Sequence, residues 1–375
     1  MLTVIIFILV LGALVFVHEL GHFISAKKLG IRSDEFGFGF PPRICGLKKV
    51  DGKRKFFWGN VNVQSEDTIY SLNWIPLGGF VKIKGEDGEN KEEKDSFACR
   101  KPWQRFVVLS AGVAMNFLFA AVIFMFIFSI GAPQGIDDGN SRFIKSIKEP
   151  AVQVIQIVPN SPAEKAGMKL GDVISMIGGA PVKNVDEVRA ALKDKDGKEV
   201  VVQIARIGET QTLKITPTKM DSADGAALGV GLTATGIVTY KFPYGLWIGL
   251  KTTVLLTGAI VQGLYLVIKN LIISAPIGVD VAGPVGIAVI TGQAARMGFV
   301  YLLQFTALLS INLGIINFLP FPALDGGRVL FLLIEKIRRK PIDQKIENVV
   351  HTIGFALLIG LIVLITGRDI WGLVG

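Results

Sequence analysis

Two histidines one helical turn apart, in His18-Glu19-Leu20-Gly21-His22, stand inside an apolar run from Met1 to Ala26. In a helix His18 and His22 share a face, where two imidazoles can hold one zinc ion. Glu19 lies beside them, placed to take a proton from a water on that metal without binding the metal itself. Ionisable side chains are costly in a membrane helix and are rarely kept there without function. The chain has three histidines, and two fall at this spacing. The bland alternative is a polar cluster packed against a neighbouring helix, and the same cost weighs against it.

A zinc-dependent hydrolase of this kind needs a third protein ligand and an open position for water. No further histidine follows His22 at a helical or metzincin spacing. Asp325 is the better candidate, in Asn317-Phe318-Leu319-Pro320-Phe321-Pro322-Ala323-Leu324-Asp325-Gly326-Gly327. Pro320 and Pro322 must interrupt a helix there, and the carbonyls they free are tolerated in a membrane only inside protein or beside a wet cavity. Asp325 as a helix cap is the plain alternative, and His351 is the rival ligand. Asn312 and Asn317 are polar in an otherwise apolar span, suited either to tying helices together or to holding a peptide.

The elements that must position these groups are membrane-spanning. Half of the 375 residues are hydrophobic and the mean hydropathy is +0.51, concentrated in long blocks, which predicts a polytopic α-helical membrane protein. The net charge of +9 gathers beside apolar runs, a pattern of cytoplasmic loops rather than of nucleic-acid binding. Cys45 and Cys99 have no metal-type spacing and are expected as free thiols. The first run lacks the basic start of a signal peptide, and cleavage would discard the histidine pair, so it is expected to be retained.

Four spans are expected. Residues 1–26 form the first, 27–105 a cytoplasmic loop, and 106–130 the second span. Residues 131–240 are an extracytoplasmic domain, 241–298 a membrane-surface helical linker, and 299–335 the third span with the Asp325 segment. Residues 336–352 form a cytoplasmic loop, and 353–375 the fourth span and C-terminus. The apolar stretch 252–268 is short. Counting it as a span would put Lys336, Arg338, Arg339 and Lys340 outside, against the positive-inside rule, so it is read as a surface-lying helix. In the first loop, Trp74 to Lys84 alternates around Gly78-Gly79 and reads as an amphipathic β-hairpin, either solvated or a strand edge near the metal. Val158 to Ile174 reads as a strand, a helix opening at Ser161-Pro162, a glycine stop and a second strand. That segment resembles the PDZ domains of bacterial membrane and periplasmic proteases, α+β modules that add a peptide strand to a sheet edge.

Taken together, His18-Glu19-Leu20-Gly21-His22, the Asn317–Gly326 segment and a PDZ domain between the second and third spans resemble the site-2 proteases, nearest to the bacterial members that regulate sigma-E. The resemblance implies a zinc-dependent intramembrane endopeptidase in the bacterial inner membrane, with its zinc near the cytoplasmic side. Its substrates would be single-span membrane proteins, either anti-sigma factors trimmed by an upstream site-1 protease or remnant signal peptides. His18, His22 and Asp325 would hold Zn2+ and Glu19 would be the base. Asn312, Asn317, Pro320 and Pro322 match the family's substrate-handling segment, and the stretch with Gly79, Val81 and Ile83 matches its membrane-associated β-hairpin, expected to clamp an unwound substrate. One PDZ domain is evident where sigma-E members carry two, and Gly112-Val113-Ala114-Met115-Asn116 lacks the usual proline. A non-catalytic PDZ-containing membrane scaffold is the alternative.

Overall fold

The computed structural model describes residues 2–61, 67–88, 90–136, 142–206, 209–219, 226–273, 283–340 and 342–374. They divide into two units, one of Met1–Phe124, Leu250–Ala295 and Phe305–Gly375, the other of Met125–Gly249 and Arg296–Gln304.

The first unit opens with α1 (Leu2–Lys28), the apolar run carried two residues further and closed by Lys27 and Lys28. Cations at a helix C-terminus complement its dipole. Three strands follow, β1 (Ser33–Val50), β2 (Lys53–Trp58) and β3 (Ile69–Ile83), in the order β2-β1-β3. Asp51 and Gly52, both at positive φ, make the two-residue turn between β1 and β2. The expected hairpin at Gly78-Gly79 is not formed. Residues 69–83 are one strand whose partner is β1, with several register shifts. The two glycines serve a close approach instead: a Cβ at Gly78 would strike Val15, and one at Gly79 would lie 3.2 Å from Phe16. The strand therefore lies against α1.

Helix α2 (Pro102–Ile130) leads into the second unit. There β4 (Ala132–Gly135), β5 (Ile144–Ile157), the short α3 (Pro162–Lys165), β6 (Val173–Ile177) and β7 (Ala180–Pro181) precede α4 (Val185–Leu192). Strands β8 (Val200–Arg206), β9 (Glu209–Ile215), β10 (Thr218–Lys219), β11 (Ala226–Ala227) and β12 (Val230–Tyr240) complete the unit. The main sheet runs β4-β12-β5-β6-β8-β9. The helix start at Ser161 is as expected: Ser161 Oγ accepts the Glu164 N–H at 3.3 Å, and Gly167 at φ +79° ends the turn. Val152, Val154, Ile174, Val202, Ile204 and Leu228 form the core.

Helix α5 (Tyr244–Ile272) has 29 residues where the sequence pattern suggested 17 apolar ones from 252 to 268. At 1.5 Å per residue it reaches ~43 Å, ample for a bilayer core of about 30 Å. Then come α6 (Pro284–Met297), α7 (Phe299–Asn317), α8 (Asp325–Arg338) and α9 (Gln344–Val374). Among the described residues, α1, α2, α5, α7 and α9 are long and apolar enough to cross a membrane, one more than expected. The loop expected at 336–352 is mostly helical, because α8 continues to Arg338 and α9 begins at Gln344. Ala26, Ile31, Ile83, Phe97, Val108, Leu109, Val329 and Leu332 pack together and join α1, β3, α2 and α8. Cys45 and Cys99 are free, as expected.

Candidate metal centre and active site

His18 and His22 stand one turn apart on α1 and are only 6% exposed each. Their Nε2 atoms lie 3.2 Å apart. Asp325, the first residue of α8, brings Oδ2 to 3.0 Å from His18 Nε2 and 3.2 Å from His22 Nε2. Asp325 is therefore not the helix cap of the plain alternative: it is the first helical residue, and its carboxylate faces the histidines. The cap residue is Leu324, which makes no side-chain capping bond. Among the described residues, His18, His22 and Asp325 are the group able to hold a metal ion.

The donor set suits a cation. His22 Nδ1 donates to Val108 O at 2.8 Å, so Nε2 presents its lone pair to the cluster. His18 Nδ1 faces the Asn116 side chain at 3.2 Å. Asn116 Oδ1 is buried without a partner. Turning this amide over, an assignment that the heavy atoms leave open, gives Oδ1 the His18 Nδ1–H and frees the second Nε2 lone pair. Asp325 Oδ2 is then a buried acceptor with no donor, as its contacts already suggest. Three converging lone pairs repel one another unless a cation lies among them. Ligands about 2.05 Å from a tetrahedral zinc are about 3.3 Å apart, close to the observed triangle.

Gly112 and Asn116 on α2, noted in the sequence only for a missing proline in their stretch, build the floor of this cluster. A Cβ at Gly112 would strike His22 Nε2 and lie 2.8 and 2.9 Å from His18 ring atoms. Gly21 likewise has no room for a Cβ beside Ala111 and Met115. Small residues at both sides of the crossing let the backbones approach, as membrane helices commonly require. Gly112 and Asn116, four residues apart, share one face of α2; an asparagine and a glycine in an apolar span were the available signal. Ser310 Oγ, on α7, donates to Asn116 O at 2.8 Å and ties this face to the next helix.

His351 lies outside the group of His18, His22 and Asp325. Its Nδ1 accepts the Ala323 N–H at 2.9 Å and so holds the loop two residues before Asp325, where Ala323 adopts φ +80°. Pro320 and Pro322 lie in the break between α7 and α8, as expected. Asn317 Nδ2 is 3.5 Å from His18 Nε2, at the rim of the cluster. Asn312 instead bonds Leu308 O of its own helix at 3.1 Å. On β3, the Val81 N–H donates to Glu19 Oε2 at 3.1 Å. Gly79 packs on α1, and the Ile83 side chain is buried in the core, so it offers only its backbone.

A half-buried carboxylate against two buried imidazoles on an apolar helix, with a glutamate alongside, defines a membrane protein of the metallopeptidase type. The model of peptidase family M50 matches residues 6–361. The chain belongs to that family, the site-2 proteases, and is a peptidase. It is 31% identical to zinc metalloprotease RasP of Geobacillus kaustophilus, over 98% of this chain and 97% of that one. It is 30% identical to the regulator of sigma-W protease RasP of Bacillus subtilis, over 98% of each chain. A solved PDZ domain of an SdrC-like protein from Listeria monocytogenes is 23% identical, over 22% of this chain and 85% of that domain, at a TM-score of 0.20.

Proposed function

We propose that the protein is a zinc-dependent endopeptidase cutting transmembrane segments of single-span membrane proteins, with His18, His22 and Asp325 as zinc ligands and Glu19 as base. The observation that carries this is the convergence of His18 Nε2, His22 Nε2 and Asp325 Oδ2 within 3.2 Å of one another beside Glu19. The names of the RasP relatives support both zinc and a role in sigma-factor regulation. Anti-sigma factors already trimmed by a site-1 protease, or remnant signal peptides, are the substrates of this reading.

His18, His22 and Asp325 would hold a zinc ion, which would supply the Lewis acidity to activate a water and polarise the scissile carbonyl. Glu19 takes the proton of the attacking water and returns it to the leaving amine. The Val108 carbonyl and the Asn116 amide keep both imidazoles turned toward the metal. A transmembrane helix hides its carbonyls in its own hydrogen bonds, so the segment to be cut must first unwind. The β3 backbone around Val81 then replaces the lost bonds, which lipid cannot satisfy. Asn317 and the break at Pro320 and Pro322 border the position where that segment lies.

Four spans, α1, α2, α7 and α9, keep both lysine- and arginine-rich loops in the cytoplasm, with α5 along the membrane surface and the second unit outside. The second unit acts as a PDZ domain, either binding a freshly exposed C-terminus or excluding substrates with bulky outer parts. Deleting residues 142–240 distinguishes the two: lost cleavage supports binding, and relaxed selectivity supports exclusion. Maleimide labelling of single cysteines at Lys251 and Lys340 in inverted vesicles tests the span count; labelling of both from the same face would fit five spans rather than four.

The central experiment compares wild type with Glu19→Gln in detergent, reading zinc per chain and cleavage of a single-span model substrate. One zinc in both and cleavage only by wild type are expected. Zinc in neither, or equal cleavage by both, overturns the assignment of His18, His22, Asp325 and Glu19 as the site.

A further inference from the structure

One face of the β2-β1-β3 sheet changes character along its length. Paired residues share a face. Trp58, Cys45 and Leu72 form one row, Phe56, Leu47 and Tyr70 the next, and Arg54 with Lys49 a third. Phe23 of α1 covers the inner part, stacked on Phe36 at 4.7 Å and edge-on to Tyr70 at 5.9 Å. Farther out, Phe56 and Trp58 are 53% and 68% exposed. Two aromatic rows ending in a basic one match the order in which a bilayer passes from acyl chains to headgroups.

Where the aromatic rows end, a cavity of about 710 Å³ opens between the end of α1 and the sheet. Lys27, Arg32, Lys48, Lys49 and Arg54 line it, against Asp67 and Asp95. Asp95 is already engaged by Lys84 Nζ, at 2.9 and 3.1 Å from its two oxygens. Arg32 is paired with Asp34 at 3.3 Å, and with that pair set aside the lining still has four cations to the one further acid Asp67, an excess of positive charge. Lys48 is buried, and burial together with the nearby Arg32 pushes its ammonium down from the ordinary lysine value. An anion in the cavity relieves both. Lys27 directly follows the apolar stretch of α1, which sets this cavity at the edge of a candidate span, where lipid phosphates lie.

We propose that this cavity binds the phosphate of an anionic phospholipid, whose acyl chains run along the rows of Phe56 and Trp58. The site is separate from the metal centre and does not depend on the peptidase reading. It would fasten the sheet that carries β3 to the membrane surface, and so hold the strand beside Glu19 at constant depth. The pull of anionic lipid on each nearby lysine or arginine is strong enough for two charges to matter measurably.

The test uses the purified full chain in mixed micelles of phosphatidylglycerol and phosphatidylcholine, with native mass spectrometry of the retained lipid. Wild type should keep phosphatidylglycerol in preference. Lys49→Gln with Arg54→Gln, both at exposed positions, should lower that preference roughly tenfold to thirtyfold. Lys193→Gln with Lys195→Gln, in the second unit, should leave it unchanged. Equal retention of the two lipids by wild type, or an unaltered preference in the Lys49/Arg54 variant, overturns the proposal. Millimolar inorganic phosphate is the other arm. If it raises the thermal midpoint of wild type as much as phosphatidylglycerol does, and not that of the variant, the cavity is a free-phosphate site and the lipid assignment fails.

Discussion

Val81 donates its backbone N–H to Glu19 Oε2 at 3.1 Å, which joins a strand edge to the carboxylate proposed as base. A substrate strand adding to that edge competes with Glu19 for the same donor. Val81→Pro removes the donor, and cleavage should fall about tenfold or more, as expected for loss of a hydrogen bond to a charged group. Zinc per chain should stay at one, because no ligand is touched. Unchanged cleavage would separate β3 from substrate handling. Ile83→Pro is a poorer probe, since Ile83 lies in the core with Ala26 and Phe97.

Gly112→Ala places a methyl group against His22 Nε2 and the His18 ring. The variant should insert and fold but retain less than about a tenth of the wild-type zinc, because both ligands must move. Metal analysis of the purified protein checks this. Full zinc occupancy would mean that the crossing of α1 and α2 is looser than its geometry.

His351 acts through the loop that carries Asp325. His351→Ala should weaken zinc binding by roughly ten- to a hundredfold, the usual cost of losing a group that orients a ligand. His351→Asn, whose Oδ1 can accept the Ala323 N–H, should recover part of it. A ligand role would give no such recovery, so titration of zinc into both variants separates the two.

In the second unit, Asp172 pairs with Arg206 at 2.7 Å, and its side chain is 1% exposed. Burial alone would raise the Asp172 carboxyl. The Arg206 hydrogen bonds, the Lys169 N–H and the Arg206 charge outweigh it and hold the carboxyl below its ordinary value. A depressed folded pKa adds stability above the unfolded value of about 4 and loses it as pH falls through the folded one. Hydrogen exchange on residues 144–206 of the full chain should therefore stay slow from neutral pH down to about 4 and quicken below, after correction for the intrinsic rates. Arg206→Ala should cost about 3 kcal/mol at neutral pH. Its pH dependence should reverse, protection falling as pH rises, because burial then outweighs the Lys169 N–H that remains.

Much of this protein was legible in short stretches of chain. The four-residue spacing of His18 and His22, the length of the apolar runs, and the Ser161-Pro162 helix start each depend on contacts within a turn or two, which sequence periodicity encodes directly. What lay beyond reach was set by segments far apart in the chain. Asp325 was preferred to His351 from sequence, but its approach to the two histidines depends on where α8 begins after the break at Pro320 and Pro322, and the bond of His351 to Ala323 is visible only in the fold. Gly78 and Gly79 look like a turn in sequence and are contact points in the structure, since a missing Cβ serves either purpose. The extra turns of α5 at both ends carry polar and aromatic residues that hydropathy alone does not count as helix. Gly112 and Asn116 matter only because α2 packs against the histidine face of α1, and the choice of packing partner belongs to the tertiary structure, where shape and buried polar pairing select one arrangement.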